Sequence, residues 1–252
     1  MGESDLFEYL LRQGDNALVL GHRLSEWCGK APALEEDIAL ANIALDLIGQ
    51  TQMWLGYAAE NDPADRSADT LAFHRDVWDF RNLLLVEQPN GDFGVTMMRQ
   101  LFFDAFNVVN LTALTRSADP RIAEIAAKTV KEATYHLERS RETVIALGDG
   151  TEQSHEYMRA ALTRLWPYTG EMFAVDPVET RLSAAKIITS PDQLRAEWDN
   201  VIQSTLNAAK LDIPDTTFAH KGGKTGTRHT EHLGHMLAVM QSLPRAYPDA
   251  RW

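Results

Sequence analysis

Cysteine is almost missing from this chain of 252 residues: Cys28 stands alone. That excludes a disulfide framework and any zinc or iron–sulfur site built from thiolates. Long apolar runs are missing too. The longest uncharged run, residues 47–59, falls short of the roughly 20 apolar residues that a bilayer-spanning helix needs. The first residues, MGESDLFEY, are acidic and lack a signal-peptide pattern, so a soluble, cytosolic protein is expected. Basic side chains are in deficit, 24 against 36 acidic, for a net charge of −12. A nucleic-acid binder attracts phosphates with clustered Lys and Arg, so that class is excluded. No strand-like alternation persists beyond a few residues, and no repeat of 20–50 residues occurs. What is present, 44% hydrophobic and 24% charged residues, is the composition of a folded globular protein.

The apolar spacing is helical almost throughout. Leu10, Gly14, Ala17, Leu18, Gly21, Leu24, Ser25 and Cys28 form a small-residue stripe along a first helix, closed by Gly29 and Pro32. Residues 34–60 are apolar on nearly every side, which predicts a helix buried all round. One polar row, Asn42, Asp46 and Gln50, crosses it. The pattern predicts a third helix over 69–87, stopped at Gln88-Pro89-Asn90-Gly91, and a fourth, largely apolar, over 93–117. Asp119 followed by Pro120 is a helix-start signature, and an amphipathic fifth helix runs from there to Gly148. Further helices are expected over 152–173, 191–208 and 230–243. The fold class is therefore all-α: a helical bundle, taken as one domain over residues 1–252.

A bundle with two apolar helices invites a search for a carboxylate-bridged di-iron site. Such a site takes a Glu from each of two helices and Glu-x-x-His from each of two more, because that spacing aims both side chains at one metal pair. Among all histidines only His155 has an acidic residue three positions before it, Glu152, and that pair lies at a helix start. Glu132/His136 and Glu231/His235 are four apart. His136 falls within the apolar face of its helix, Glu132 at its edge, and the second pair falls away from its apolar stripe. One inward pair cannot hold two irons. The run His229, His232, His235 spreads over about 120° of a helix at 100° per residue, a poor zinc set and a good polar face. Gly222-Gly223-Lys224-Thr225 has Phe218 where a phosphate-binding loop needs glycine. Lys221, Lys224 and Arg228 could still hold an anion, or simply be solvated. The row Asn42/Asp46/Gln50 needs partners, since a carboxylate in apolar surroundings is costly; Arg81, Arg99 and Lys128 are candidates. It is either a structural network or the remnant of a ligand row.

Several strings go beyond spacing: Gly14 to Leu20, Glu26-Trp27-Cys28-Gly29, Asp37 to Gln50, Asn82 to Gly91, Lys131-Glu132-Ala133, Tyr135-His136-Leu137 and His229 to Gly234. Together, over nearly the whole chain, they resemble the PaaC family, the C-type subunits of bacterial ring 1,2-phenylacetyl-CoA epoxidases. The resemblance implies a ferritin-like bundle of the di-iron monooxygenase superfamily that has lost its metal ligands. Asp46, Glu132 and His136 would be the remnants. It implies a non-catalytic, structural subunit of a monooxygenase complex for aerobic phenylacetate degradation. Its partners would be a paralogous A-type catalytic subunit with the di-iron centre, a B subunit, and a reductase using NADPH, flavin and iron–sulfur centres. The chain alone could pair with itself as a homodimer. Phenylacetyl-CoA would be met through the complex, at surface contributed by Asp79, Phe80, Arg81 and Asn82 and by Thr180, Arg181 and Leu182. Arg81 could meet an anionic group and Phe80 could cover apolar surface; equally, Arg81 could pair with a bundle carboxylate such as Asp46 or Glu87. The rival class is an autonomous ferritin-like di-iron oxidase with the atypical ligands Asp46, Glu132 and His136. A third reading is a CoA-ester binding module using Lys221, Lys224 and Arg228.

Overall fold

A computed structural model describes residues 3–248 and residue 250, and all regular structure among them is helical. In chain order the helices are α1 (Glu3–Ser25), α2 (Leu34–Glu60), α3 (Ala68–Phe73), α4 (Phe93–Leu114), α5 (Pro120–Gly148), α6 (Glu152–Leu165), α7 (Pro177–Ala184), α8 (Pro191–Ala208), α9 (Glu231–Met240) and α10 (Ser242–Ala246). Among these residues no helix is long and apolar enough to cross a membrane. The chain divides into two compact units, Met1–Pro89 with Lys221–Trp252, and Asn90–His220.

In the first unit α1 and α2 pack along their length. The small-residue stripe works as its spacing predicts: a Cβ at Gly14 would lie 2.5 Å from Leu55 Cδ2, and one at Gly21 would lie 3.3 Å from Leu47 Cβ. Gly14 meets the later part of α2 and Gly21 the earlier part, so the pair is antiparallel. The expected helix over 69–87 does not form. Only α3 is made, followed by a 3-10 turn at Val77–Asp79 and irregular chain. Toward its expected end, two amides are taken by other partners. Asp15 Oδ2 accepts the Arg81 N–H at 2.8 Å and Asn16 Oδ1 accepts the Leu83 N–H at 2.8 Å, so side chains of α1 replace the carbonyls an extended α3 would have offered.

The prediction for α2 also fails on one side. Its buried residues, from Ala39 to Ala58, occupy one arc, while Leu34, Ile38 and Leu45 are 72%, 53% and 69% exposed. The polar row winds across that boundary: Asn42 is exposed, Asp46 half-buried and Gln50 buried.

In the second unit α4 is buried on almost every side, with α5, α6 and α8 packed on it. Trp198 of α8 donates from Nε1 to the Phe102 carbonyl at 3.0 Å. Its ring lies 6.0 Å from that of Phe102 and 5.3 Å from that of Phe173. Asp119 caps α5 as expected, accepting from the Arg121 and Ile122 amides. The predicted helix over 152–173 stops at Leu165, where Pro167 lacks an amide donor, and continues as 3-10 turns to Phe173. α7 falls between the helices expected over 152–173 and 191–208, where the sequence pattern marks none. Asp176 caps it through a reciprocal box with Glu179.

Candidate functional site

The densest polar cluster lies in the first unit, where the irregular segment after α3 crosses α1 and the loop before α9. Asp15 and Arg75 form an ion pair with side chains 0% and 3% exposed. Arg75 also donates to the Asp79 carbonyl at 2.9 Å and stacks its guanidinium 4.3 Å from the centroid of Phe80. Glu8 sits between two guanidinium groups, 3.5 Å from Arg12 Nη2 and 2.9 Å from Arg81 Nε. Arg81 further donates to the carbonyls of Trp78 and Phe80, each at 2.9 Å. A Gly226 side chain would run into the Arg81 guanidinium, and Gly226 holds φ at +65°. Glycine is therefore required there on two counts.

Next to it Glu87, fully buried, accepts from Asn82 Nδ2 at 3.0 Å and from the Thr230 amide at 2.6 Å. His229 lies between two acceptors, Nδ1 2.9 Å from Glu87 Oε2 and Nε2 3.1 Å from the Phe80 carbonyl oxygen. Arg23 closes the cluster, donating to the Glu87 carbonyl at 2.8 Å and the His232 carbonyl at 3.0 Å. The loop at Gly222–Gly226 is bound in by the same segment, since a Cβ at Gly223 would collide with the Asn82 carbonyl.

The sequence candidates are thus distributed as follows. Phe80 and Asn82 are 0% exposed, so both are interior; Asp79 is exposed and caps the turn by accepting from the Asp76 amide. Arg81, 22% exposed in its side chain, pairs with Glu8. The partners considered from sequence, Asp46 and Glu87, are not the ones its contacts give. Thr180, Arg181 and Leu182 lie on α7 in the other unit. Leu182 is buried, Arg181 exposed, and Thr180 exposed with its hydroxyl on the Asp176 carbonyl at 2.8 Å. Of the basic loop residues, Lys221 and Arg228 are exposed, whereas Lys224 is buried.

A di-iron site does not fit the residues present. Among the described residues no three His, Cys, Asp or Glu side chains converge to hold a metal ion. Asp46 is half-buried on α2. Glu132 is half-buried and His136 buried, both on α5. His155, of the one Glu-x-x-His, has its Nδ1 2.7 Å from the Gly148 carbonyl oxygen, and Glu152 is exposed. In α4 the search by histidine spacing passed over Asp104, which is buried with Oδ2 unpartnered. Burial pushes its carboxyl up to about 8, against hydrogen bonds from Ser140 and Gln100 that pull it down. It also passed over Asp15 and Glu8. The available signal was a carboxylate one position off the small-residue stripe of α1.

Compared with known proteins, the chain matches the family model described as phenylacetic acid catabolic protein over residues 2–252. It is 49% identical to the C subunit of the 1,2-phenylacetyl-CoA epoxidase of Escherichia coli (strain K12), over 249 residues covering 99% of this chain and 100% of that protein.

Proposed function

The chain belongs to the phenylacetic acid catabolic protein family, and from that premise we propose that it is the C-type subunit of a phenylacetyl-CoA epoxidase. In this reading residues 1–252 act as one ferritin-like, non-catalytic body. It supports an A-type subunit that carries the di-iron centre, with a B subunit and an NADPH-, flavin- and iron–sulfur-dependent reductase completing the monooxygenase. The carrying observation is the end-to-end identity to a C-type subunit. The residue geometry supports the non-catalytic part: the family's helical frame is present, and no metal-holding group of side chains occurs among the described residues.

The bound metal of the partner supplies the oxygen chemistry; this chain's residues supply shape. Asp15, Arg75, Glu87 and His229 lock the segment that presents Trp78, Asp79 and part of Arg81 outward. We place substrate-side surface there, with Phe80 and Asn82 holding it from inside, and assign Arg181 and Thr180 of α7 the same outward role, with Leu182 anchoring them. The rival di-iron oxidase gains nothing from Asp46, Glu132 and His136, which join no convergent acidic or histidine group. The CoA-ester module loses Lys224 to burial.

Two measurements test this. Co-expression with an A-type subunit should give a stable complex that epoxidises phenylacetyl-CoA when B subunit and reductase are added, with no turnover by this chain alone. Metal analysis of the purified chain should find far less than two irons per chain; two irons surviving dialysis would sink the non-catalytic assignment.

A further inference from the structure

We propose that the cavity between the chain leaving α4 and the chain joining α7 to α8 binds a phosphate-type oxyanion, held by Arg116 and Lys186. Nothing in this depends on the subunit reading above. The cavity lies within the second unit and measures about 280 Å³. A water takes about 30 Å³ of liquid, so a tetrahedral ion enters with several waters. Arg116, Ser117, Ser183, Lys186, Thr189 and Gln193 supply the polar lining, and no Asp or Glu lines it, although the chain holds 36 of them. Among the described residues, the side chains of Arg116, Ser183, Lys186, Thr189 and Gln193 make no ion pair or hydrogen bond to the rest of the chain.

The two cations are held in place relative to one another. The Ala118 amide donates to the Lys186 carbonyl at 2.9 Å and the Ser117 hydroxyl to the Ile187 carbonyl at 2.6 Å, joining the segments that carry them. Ile187 and Ile188, both buried, anchor the second segment.

Lys186 ends α7 with φ at +60°, its amide on the Ser183 carbonyl and the Ile187 amide on the Leu182 carbonyl. Glycine is the usual occupant of that position. Lys210 ends α8 in the same way, with φ at +57°, and there the ammonium is paired with Asp149. At Lys186 the chain provides the cation without the carboxylate. A cation favours the carbonyl end of a helix, but a lysine within the last turn of α7 would give that gain without a left-handed Cβ. An oxyanion from solution fits the set. The Arg116 fork can take two oxygens, Lys186 supplies a compact charge, and Ser183, Thr189 and Gln193 can donate to the others. Two positive charges without a carboxylate in the lining reverse, locally, the field of a chain that carries −12.

The test follows amide NMR shifts of the full chain, titrated with inorganic phosphate against sodium chloride of equal ionic strength. Saturating shifts centred on residues 116–118 and 183–193 are expected, with a dissociation constant of about 1–10 mM. Arg116→Gln and Lys186→Gly should each weaken binding by about tenfold or more, the scale of a lost charge-assisted hydrogen bond. Glycine is at ease at φ +60°, so Lys186→Gly should also raise the melting temperature of the phosphate-free chain, which separates lost binding from lost folding. Lys210→Gln, at the equivalent end of α8, should bind phosphate as the parent does. Glycerol 3-phosphate binding as tightly as phosphate would assign the site to a phosphomonoester, and binding of the inorganic ion alone would assign it to free phosphate; either supports an oxyanion site. Shifts that never saturate, or that spread evenly over the surface cations, would overturn the proposal. Parental affinity in both Arg116→Gln and Lys186→Gly would overturn it too.

Discussion

Asp104 and Asp62 are both buried carboxylates, and their surroundings push them in opposite directions. Asp104 in α4 is raised to about 8 by burial. Between roughly pH 4 and 8 the folded chain holds a proton there that the unfolded chain has released, so stability falls as pH rises across that window. Asp104→Asn removes the titration. Urea unfolding at pH 5, 7 and 8.5 should find the variant gaining on the parent by up to about 1.4 kcal/mol per pH unit. Asp62 is lowered to about 2, first by its hydrogen bond to Arg66, with the Ala64 and Arg66 amides adding to it. Its contribution is therefore present above the ordinary carboxylate range and is lost as pH falls toward 2. Asp62→Asn should lower the melting temperature at pH 7 and make little difference near pH 2. At the Asp15–Arg75 pair, Arg75→Met leaves a buried charge without its counter-ion. The expected cost is about 3–5 kcal/mol in denaturant unfolding; a loss below about 1 kcal/mol would mean that the Arg81 amide alone satisfies Asp15.

At the scale of the element, the glycines divide by what surrounds them. Gly14 is crowded by Leu55, and an added methyl there must push a buried side chain of α2. Gly14→Ala should destabilise the chain by about 1–3 kcal/mol. Gly49 and Gly56 face open space, so Gly49→Ala and Gly56→Ala should each raise the stability of the free chain by about 0.5–1 kcal/mol. Thermal melts of the three variants compare them directly. Opposite signs at Gly14, on the α1–α2 seam, and at the two α2 glycines would locate the side of α2 on which this chain makes its own core.

For the whole molecule, the −12 charge sets which ligands the chain can attract unaided. A CoA ester is anionic, and the mean field of this chain repels it. Lys221 and Arg228 are the exposed cations of the glycine-rich loop, while Arg81 is already paired with Glu8. Equilibrium dialysis of the isolated chain with phenylacetyl-CoA should therefore give a Kd no tighter than about 1 mM. Micromolar binding by this chain alone would restore the CoA-ester module as a function in its own right.

Helix identity was legible wherever periodicity, cap and stop signals agreed. Asp119-Pro120 and the stripe that follows gave α5, and Pro191 to Ala208 gave α8, because local chemistry alone decides such segments. The spacing that aims Glu and His at one metal is a property of the helix itself, so the sequence alone shows that Glu-x-x-His occurs once, at Glu152 and His155. Tertiary structure decided what depends on residues far apart in sequence. Around Arg81 and Leu83 the chain leaves the helical path where Asp15 and Asn16, more than sixty positions earlier, take those two amides. His229 proved to be a partner of Glu87 rather than part of a histidine run. Apolar content on every side of α2 was visible from the start, but only the packing of α1 fixed which side is core. The other side leaves Leu34, Ile38 and Leu45 exposed beside Asn42 and Gln52, because a sequence records a helix's apolar content and not which side its neighbour covers.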